Sequence, residues 1–312
     1  MVAKTWQPAF VFHPAVWHKV RAMPSLIRHL PIVRTYAAVR ELRARSEVLR
    51  DEVIKARAER DRARKVLTHA LSYGRMKELV DEHSTAYRTA DPFPHIVLDD
   101  LFDPELLTQI LTEFDAMAMD RGKWRARDKD FERKWATEDI QHFGPITRSF
   151  VHQLNGGLFL NFLEGLTGIE GLVSDPHIRG GGLHEIRREG ALGVHADFNL
   201  HPRLNLWRRL NLLLYLNQNW DSAWGGELEL WDRGGKQRVK SIAPIFNRVV
   251  IFDTSNFSYH GHPHPLMCPP DRSRKSIALY YYTALKPEGE IDPHITLFLE
   301  SGRTENAEEV ET

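Results

Sequence analysis

A chain of 312 residues with 42% apolar and 27% charged residues can fold a large domain with an appendage, and it is too apolar to be wholly disordered. Its longest apolar runs, such as LLLYL at 212–216, fall far short of the roughly 20 residues that cross a bilayer. A single cysteine, Cys268, excludes an intrachain disulfide and a thiolate zinc site, so any transition metal would take N and O ligands, for which there are sixteen histidines. The net charge is zero but unevenly laid out. Residues 1–66 carry 15 Lys and Arg against 6 Asp and Glu, leaving 27 against 36 for the rest, which reads as two regions with different roles.

Residues 1–31 hold no acid and four prolines (Pro8, Pro14, Pro24 and Pro31), so no long helix fits there. Serine is scarce, the prolines break the amphipathic helix of a transit peptide, and no apolar stretch follows a charged start. A basic, Pro-containing N-terminal segment on a cytoplasmic protein is the expectation.

From Ile32 the pattern changes. Val39, Leu42, Ser46, Leu49, Val53, Ala56, Arg60, Ala63, Leu67 and Ala70 recur at alternating steps of three and four, a heptad seam. The pairs Glu41/Arg45 and Asp51/Lys55 add i,i+4 support. Alanines on the seam, with Ser46 and Arg60, weaken it. Two readings of a helical arm over 32–90 follow: a weak coiled coil that joins two copies through residues 32–72, or an amphipathic helix lying on its own domain. The arginines come with no aromatic stacking motif or DNA-binding fold, so nucleic acid is not expected as a partner.

The body is placed at 91–288 and an acidic tail at 289–312. PFPHIVLDDLFDPELLTQILTEF (92–114) predicts a short strand and then a helix capped by Asp103, with Pro104 at its first position and Leu106, Leu107, Ile110, Leu111 and Phe114 on one face. A second helix is expected across 148–166. The stretch WRARDKDFERKW (124–135) reads as a lid over a substrate or as a solvated loop or helix. Beyond about 180 the period drops to two between glycine-marked turns, in GLHEIRREG, LGVHADF, RRLNLLLYLN, GGELELWD, NRVVIFDT and SRKSIALYYYT. Strands that follow helices without alternating with them predict a mainly β fold, an antiparallel sandwich or jelly roll with supporting helices. No G-x-G-x-x-G, Walker loop or H-E-x-x-H occurs.

Chemistry gathers in the strands. On a strand, residues i and i+2 share a face, so His195 and Asp197 of VHAD aim at one spot. A third ligand is offered by FSYHGHPHPL (257–266), where His260, His262 and His264 follow the apolar strand VVIF. Two histidines and one carboxylate on one face of iron leave three positions open for a bidentate co-substrate and O2. Arg274 and Ser276 share one face of the last strand, and a guanidinium with a hydroxyl suits an inward-reaching carboxylate. Tyr280 shares a face with Arg274. One of Arg208 and Arg209 points inward, Glu185, Arg187 and Asn199 are further pocket candidates, and Cys268 is expected to be inert.

The order H-x-D, then YLN…W…GGELEL, then a distal histidine and an R-x-S strand, resembles the iron(II)- and 2-oxoglutarate-dependent oxygenases, in particular their prolyl 4-hydroxylase-like branch, over about 92–285. The resemblance implies a double-stranded β-helix (jelly roll) core, with Fe(II) bound by His195, Asp197 and His260. It implies that Arg274 meets the distal carboxylate of 2-oxoglutarate with Ser276 beside it, that Tyr215 of YLN bonds the same carboxylate, and that Leu228 packs against the co-substrate. The step from His260 to Arg274 is longer than this branch usually has, and His264 fits the count better. His260 is preferred because it follows VVIF and an aromatic turn, and CPPDRS (268–273) can hold the extra residues; His262 and His264 stay as alternatives. The implied reaction consumes O2 and 2-oxoglutarate, releases succinate and CO2, and hydroxylates a peptidyl or free amino acid or a small metabolite, with ascorbate as an accessory reductant. Asp197 in place of a small residue favours hydroxylation over halogenation. The rival readings are a jelly-roll protein that binds or senses metal and 2-oxoglutarate without turnover, and a scaffold whose working part is the coiled coil.

Overall fold

The computed structural model describes residues 31–69, 71–129, 132–289, 292–300 and 303–306. All of the Pro-containing segment read over 1–31 except Pro31 lies outside the described residues. The chain divides into two compact units, 1–64 and 65–312. A helix, Pro31–His69 (α1), begins in the first unit, and along it Val39, Leu42, Leu49 and Val53 are exposed. Among the described residues no helix is long and apolar enough to cross a membrane.

The second unit opens with the helix Tyr73–Arg88 (α2), capped by the Ser72 side chain, which accepts from the Arg75 N–H. There follow the strand His95–Asp99 (β1), the helix Pro104–Ala118 (α3) and the strands Arg125–Lys129 (β2) and Glu132–Thr137 (β3). Next come the helices Pro145–Leu154 (α4) and Gly157–Thr167 (α5), then Val173–Ser174 (β4), Gly182–Arg187 (β5), Leu192–Ala196 (β6) and Trp207–Tyr215 (β7). The last strands are Leu228–Trp231 (β8), Arg238–Ile242 (β9), Arg248–Asp253 (β10), His260–His262 (β11), Ser273–Thr283 (β12), Leu297–Glu300 (β13) and Arg303–Asn306 (β14).

Every pairing is antiparallel, and the order runs β1-β10-β7-β12-β5-β3-β6-β11-β8-β9. The sheet curls so that its two halves face each other as a double-stranded β-helix: Tyr215 of β7 packs with Leu228 and Leu230 of β8, and Phe252 of β10 meets His260 of β11 at 4.7 Å between rings. In β10, Val249, Val250, Ile251 and Phe252 are all buried. One face meets the helices and the other the opposite half, so this strand reads as a continuous apolar run rather than an alternation. The edge strand β9, RVKSI, is exposed except at Ile242, as a strand with one free edge should be.

Helices α2, α3, α4 and α5 cover the outer face of the β1-β10-β7-β12-β5 half. Leu107, Ile110, Phe114, Phe150, Val151, Leu163 and Leu166 lie there against Leu212, Leu214, Ile251, Ile277 and Leu279. Asp103 caps α3 as expected, accepting from the Glu105 N–H at 2.7 Å, with Pro104 at the first turn. Three expectations change. The helix across 148–166 is two helices: α4 ends at Leu154, the chain leaves helical conformation at Gly156, which is extended (φ −84°, ψ 158°), and α5 starts anew at Gly157. The stretch read as an arm over 32–90 is also two helices. The second, α2, buries Met76, Leu79 and Tyr87 in the core of the body and packs on α5, where Gly165 sits close beside Val80. The tail placed at 289–312 contains a hairpin, β13–β14, whose first strand pairs with β6.

Phe114 is fully buried with its ring 5.2 Å from that of Trp124. Phe114→Ala is expected to lower the unfolding free energy by about 3–5 kcal/mol, read as a shift of the urea midpoint at unchanged slope.

Candidate functional site

Register decides which side chains enter the space between the two halves. Directly opposed residues share a face, and β12 sets Arg274 against Ile186, Ser276 against His184 and Tyr215, and Tyr280 against Asn211. Arg274, Ser276, Tyr280, Tyr215 and Asn211 therefore face inward together. Glu185 and Arg187 occupy the alternate positions of β5, on the other face. Glu185 is held there by Arg121 at 2.6 Å, and the Arg187 side chain is half exposed, so these two pocket candidates do not join the site. Asn199 does not line it through its amide: the side chain accepts from the His294 N–H and donates to the Asp292 carbonyl, pinning the segment that leads to β13.

On β6 and β11, His195 lies opposite His260, with ring centroids 4.5 Å apart. The side chains of His195, Asp197 and His260 each offer one ligand atom, all within 4.8 Å of one another. Both imidazoles are oriented by the backbone: Nδ1–H of His195 donates to the Gly193 carbonyl at 2.8 Å, and that of His260 to Ser258 at 2.9 Å. Each Nε2 is thereby left with its lone pair, aimed at Asp197 over 3.6 and 3.5 Å. Phe298 lies 5.2 Å from the His195 ring and Phe252 packs edge-on to His260, so the two rings are wedged between aromatic side chains. Gly261 lets the strands come this close, since a Cβ there would lie 2.7 Å from the Gly193 carbonyl oxygen. Of the alternative histidines, His264 is exposed, and His262 is buried outside the three-residue group.

Asp197 is gripped from behind. Its Oδ2 accepts from Arg208 Nη2 at 3.0 Å and Asn211 Nδ2 at 2.7 Å, while Arg208 also donates from Nε to Asn211 Oδ1 at 3.0 Å. The buried guanidinium lies 3.5 Å from the Tyr280 ring centre and 4.5 Å from that of Phe198. Burial alone would raise the Asp197 carboxyl, but Arg208, His195 and His260 outweigh it and hold the group well below the usual carboxylate range. Burial, then the neighbouring His195, pushes the His260 imidazole down to about 4. The three groups are thus an ionised carboxylate and two imidazole lone pairs, a donor set that suits a divalent transition metal with open positions. Nitrogen and oxygen donors on one face match Fe(II).

A second polar cluster lies on the inward faces of β12 and β7. Arg274 Nε donates to the Gly226 carbonyl at 2.7 Å and Nη2 to the Tyr215 hydroxyl at 3.1 Å. Gly226 has φ +80°, and a Cβ there would meet Leu266 at 2.5 Å, so the GG of GGELEL is needed to bring its carbonyl to the arginine. Leu228 is buried beside Tyr215. The stretch 124–135, expected as a lid or as a solvated loop or helix, falls in the strand hairpin β2–β3. Its second strand pairs with β5 through Trp135, Ala136 and Thr137 and with β6 through Glu132, joining the two halves, and Lys134 turns inward, paired with Glu132 at 2.8 Å. Sequence reasoning missed Asn211, Lys134 and Phe298. The parity of Asn211 with Tyr215 and the apolar run ITLFL around Phe298 were the signals available, since Lys134 lies in a stretch whose composition reads as exposed.

Residues 181–282 match the model of the 2OG-Fe(II) oxygenase superfamily. The mouse (Mus musculus) prolyl 3-hydroxylase OGFOD1 is 35% identical over 100 residues, which are 28% of this chain and only 18% of that relative's length. A Pseudomonas putida prolyl-4-hydroxylase superimposes with a TM-score of 0.49 at 14% identity, over 66% of this chain and 99% of that one. A Trichoplax adhaerens prolyl hydroxylase in complex with a peptide fragment of the hypoxia inducible factor oxygen degradation domain gives 0.48 at 16%, over 66% and 90%. HygX of Streptomyces hygroscopicus, with nickel, 2-oxoglutarate and hygromycin B bound, gives 0.43 at 12%, over 62% and 85%.

The depressed His260 carries a pH signature. An imidazole that titrates near 4 when folded and near its usual 6.5 when unfolded adds stability that is fully present above about 6.5 and is lost as pH falls toward 4. Without a bound cation, the unfolding free energy is expected to drop by roughly 3 kcal/mol across that window from this residue. Urea titrations at several pH values should show it, with a shallower slope in His260→Gln.

Proposed function

We propose that this chain, whose residues 181–282 belong to the 2OG-Fe(II) oxygenase superfamily, is an Fe(II)- and 2-oxoglutarate-dependent hydroxylase. The observation that carries the reading is the convergence of two backbone-oriented imidazoles and an ionised carboxylate on one point, with a buried arginine on the inward face of β12. His195, Asp197 and His260 would hold the metal. Arg274, fixed by Gly226 and Tyr215, would receive the distal carboxylate of 2-oxoglutarate, with Ser276 on the same face and Leu228 packed along the co-substrate. With both bound, the group supplies oxidative chemistry: O2 and 2-oxoglutarate are converted to succinate and CO2 while a substrate C–H becomes C–OH.

The chain's own residues do the rest. Arg208 and Asn211 hold Oδ2 of Asp197, which leaves Oδ1 turned toward His195. Phe252 and Phe298 keep water from the outer faces of the two imidazoles. The substrate is a peptidyl or free amino acid or a small metabolite; the names of the relatives put a prolyl side chain first. Ascorbate would keep the iron ferrous between turnovers, and the need for ferrous iron favours a reducing compartment, the cytoplasm.

Purified protein given Fe(II), ascorbate, 2-oxoglutarate and air is expected to release succinate without added substrate, at a slow uncoupled rate. His195→Ala with Asp197→Ala should abolish it, and Arg274→Leu should raise the KM for 2-oxoglutarate by at least about tenfold, the worth of a charge-assisted pair. Binding of both ligands with no succinate under any substrate would make the protein a sensor instead. Failure to bind either would remove the reading.

The exposed Val39, Leu42, Leu49 and Val53 support pairing of two copies through residues 32–72. Light scattering should give a dimer mass for the full chain and a monomer mass for Leu42→Glu with Leu49→Glu.

A further inference from the structure

His262 has no part in the arrangement described above, yet it is 3% exposed and neither of its ring nitrogens has a hydrogen-bond partner. Other buried imidazoles among the described residues have at least one ring nitrogen engaged: His184 faces the Gly180 and Gly181 carbonyls, His201 accepts from two backbone N–H groups through Nδ1, and His95 contacts the Phe93 carbonyl, whereas His262 has neither. A neutral imidazole carries one N–H donor and one lone pair, and leaving both dry is tolerated where a ligand completes them. His262 stands on β11 two residues beyond His260. The chargeable groups that bear on it are Arg274, Lys134 and His195, from β12, β3 and β6, with no acid among them. Lys134 brings Glu132 as its own partner. A buried ring with both nitrogens unpartnered and only basic groups acting on it is a place where an anion is favoured.

Resting on the hydroxylase reading, we propose that His262 is a further 2-oxoglutarate-binding residue, whose ring N–H donates to the distal carboxylate beside Arg274. Arg274 has already committed Nε to Gly226 and Nη2 to Tyr215, so it offers only part of its fork to a carboxylate. His262 supplies a missing donor from the facing half of the β-helix. The co-substrate would then bridge the two halves, gripped by β12 on one side and by the strand of a metal ligand on the other.

The test is calorimetric, with Mn(II) in place of iron so that no turnover occurs. Wild type, His262→Leu, His262→Met, His262→Gln and Arg274→Leu are titrated first with Mn(II) and then with 2-oxoglutarate. 2-Oxopentanoate, which lacks the distal carboxylate, is titrated in parallel. His262→Leu is expected to weaken 2-oxoglutarate by about tenfold, to leave Mn(II) affinity within about twofold, and to bind 2-oxopentanoate as wild type does. His262→Gln, which keeps an N–H donor, should recover most of the loss. His262→Met serves if the leucine variant shows no cooperative melt.

An unchanged Kd for 2-oxoglutarate in both apolar variants, while Arg274→Leu loses it, overturns the proposal and leaves the hydroxylase reading standing. A fall in Mn(II) affinity would make His262 a metal ligand instead and also overturns it, as would an equal loss on 2-oxopentanoate. Wild type that takes up Mn(II) but no 2-oxoglutarate brings down both.

Discussion

A carboxylate cannot sit buried between two imidazoles unless something nearby answers its charge, and here that is Arg208. Isolated burial of either ion would be prohibitive; together, with Asn211 bonded to both, each satisfies the other. The stack of Arg208 on Tyr280 and Phe198 fills the remaining faces of the guanidinium. Asp197 lies just beyond β6 in one half of the β-helix, while Arg208 and Asn211 lie on β7 in the other. The ion pair thus ties the loop carrying one site residue to the far wall, and the orientation of the three-residue group depends on the two halves keeping their separation.

That separation is set by packing. The inner cluster of Phe93, Tyr215, Leu228, Leu230, Ile242, Val250 and Phe252 fills one end of the sandwich with side chains from both halves. The polar residues occupy the remainder. One face of the β1-β10-β7-β12-β5 half is consumed by helices, so its strands need apolar residues on one parity and site residues on the other. In β12 the result is plain: Ile277, Leu279 and Tyr281 go outward to the helices, and Arg274, Ser276 and Tyr280 go inward. A slip of one residue in this strand would exchange the two sets.

Much of this was legible from residue spacing because a strand has a fixed period of two. That His195 and Asp197 would meet, that Arg274 and Ser276 would share a face, and that Asp103 and Pro104 would start a helix are local statements that need no partner. What failed needed one. The side of β5 on which Glu185 falls is known only once β5 is registered against β12. Hairpin β2–β3 hid because its charges are spent on one another, Glu132 with Lys134 and Arg127 with Glu138, so a strand built into the wall has the composition of an exposed loop. Asn155 and Gly156 broke a helix whose apolar residues continue in phase on both sides. The hairpin β13–β14 was missed although Ile295, Leu297, Phe298 and Leu299 mark an apolar stretch, because the acids on either side of it read as one tail.

The strand β13 pairs with β6 on the side away from β11 and sets Phe298 against His195, while Lys134 comes from the opposite direction in the chain. The segment 181–282 contains the three converging side chains and Arg274, but the walls around them are drawn from residues well before it and after it. Reactive machinery and enclosure are thus encoded in separate stretches of one polypeptide. A chain cut back to 181–282 would keep the converging side chains but lose Phe298 from beside His195 and the strand that joins β5 to β6.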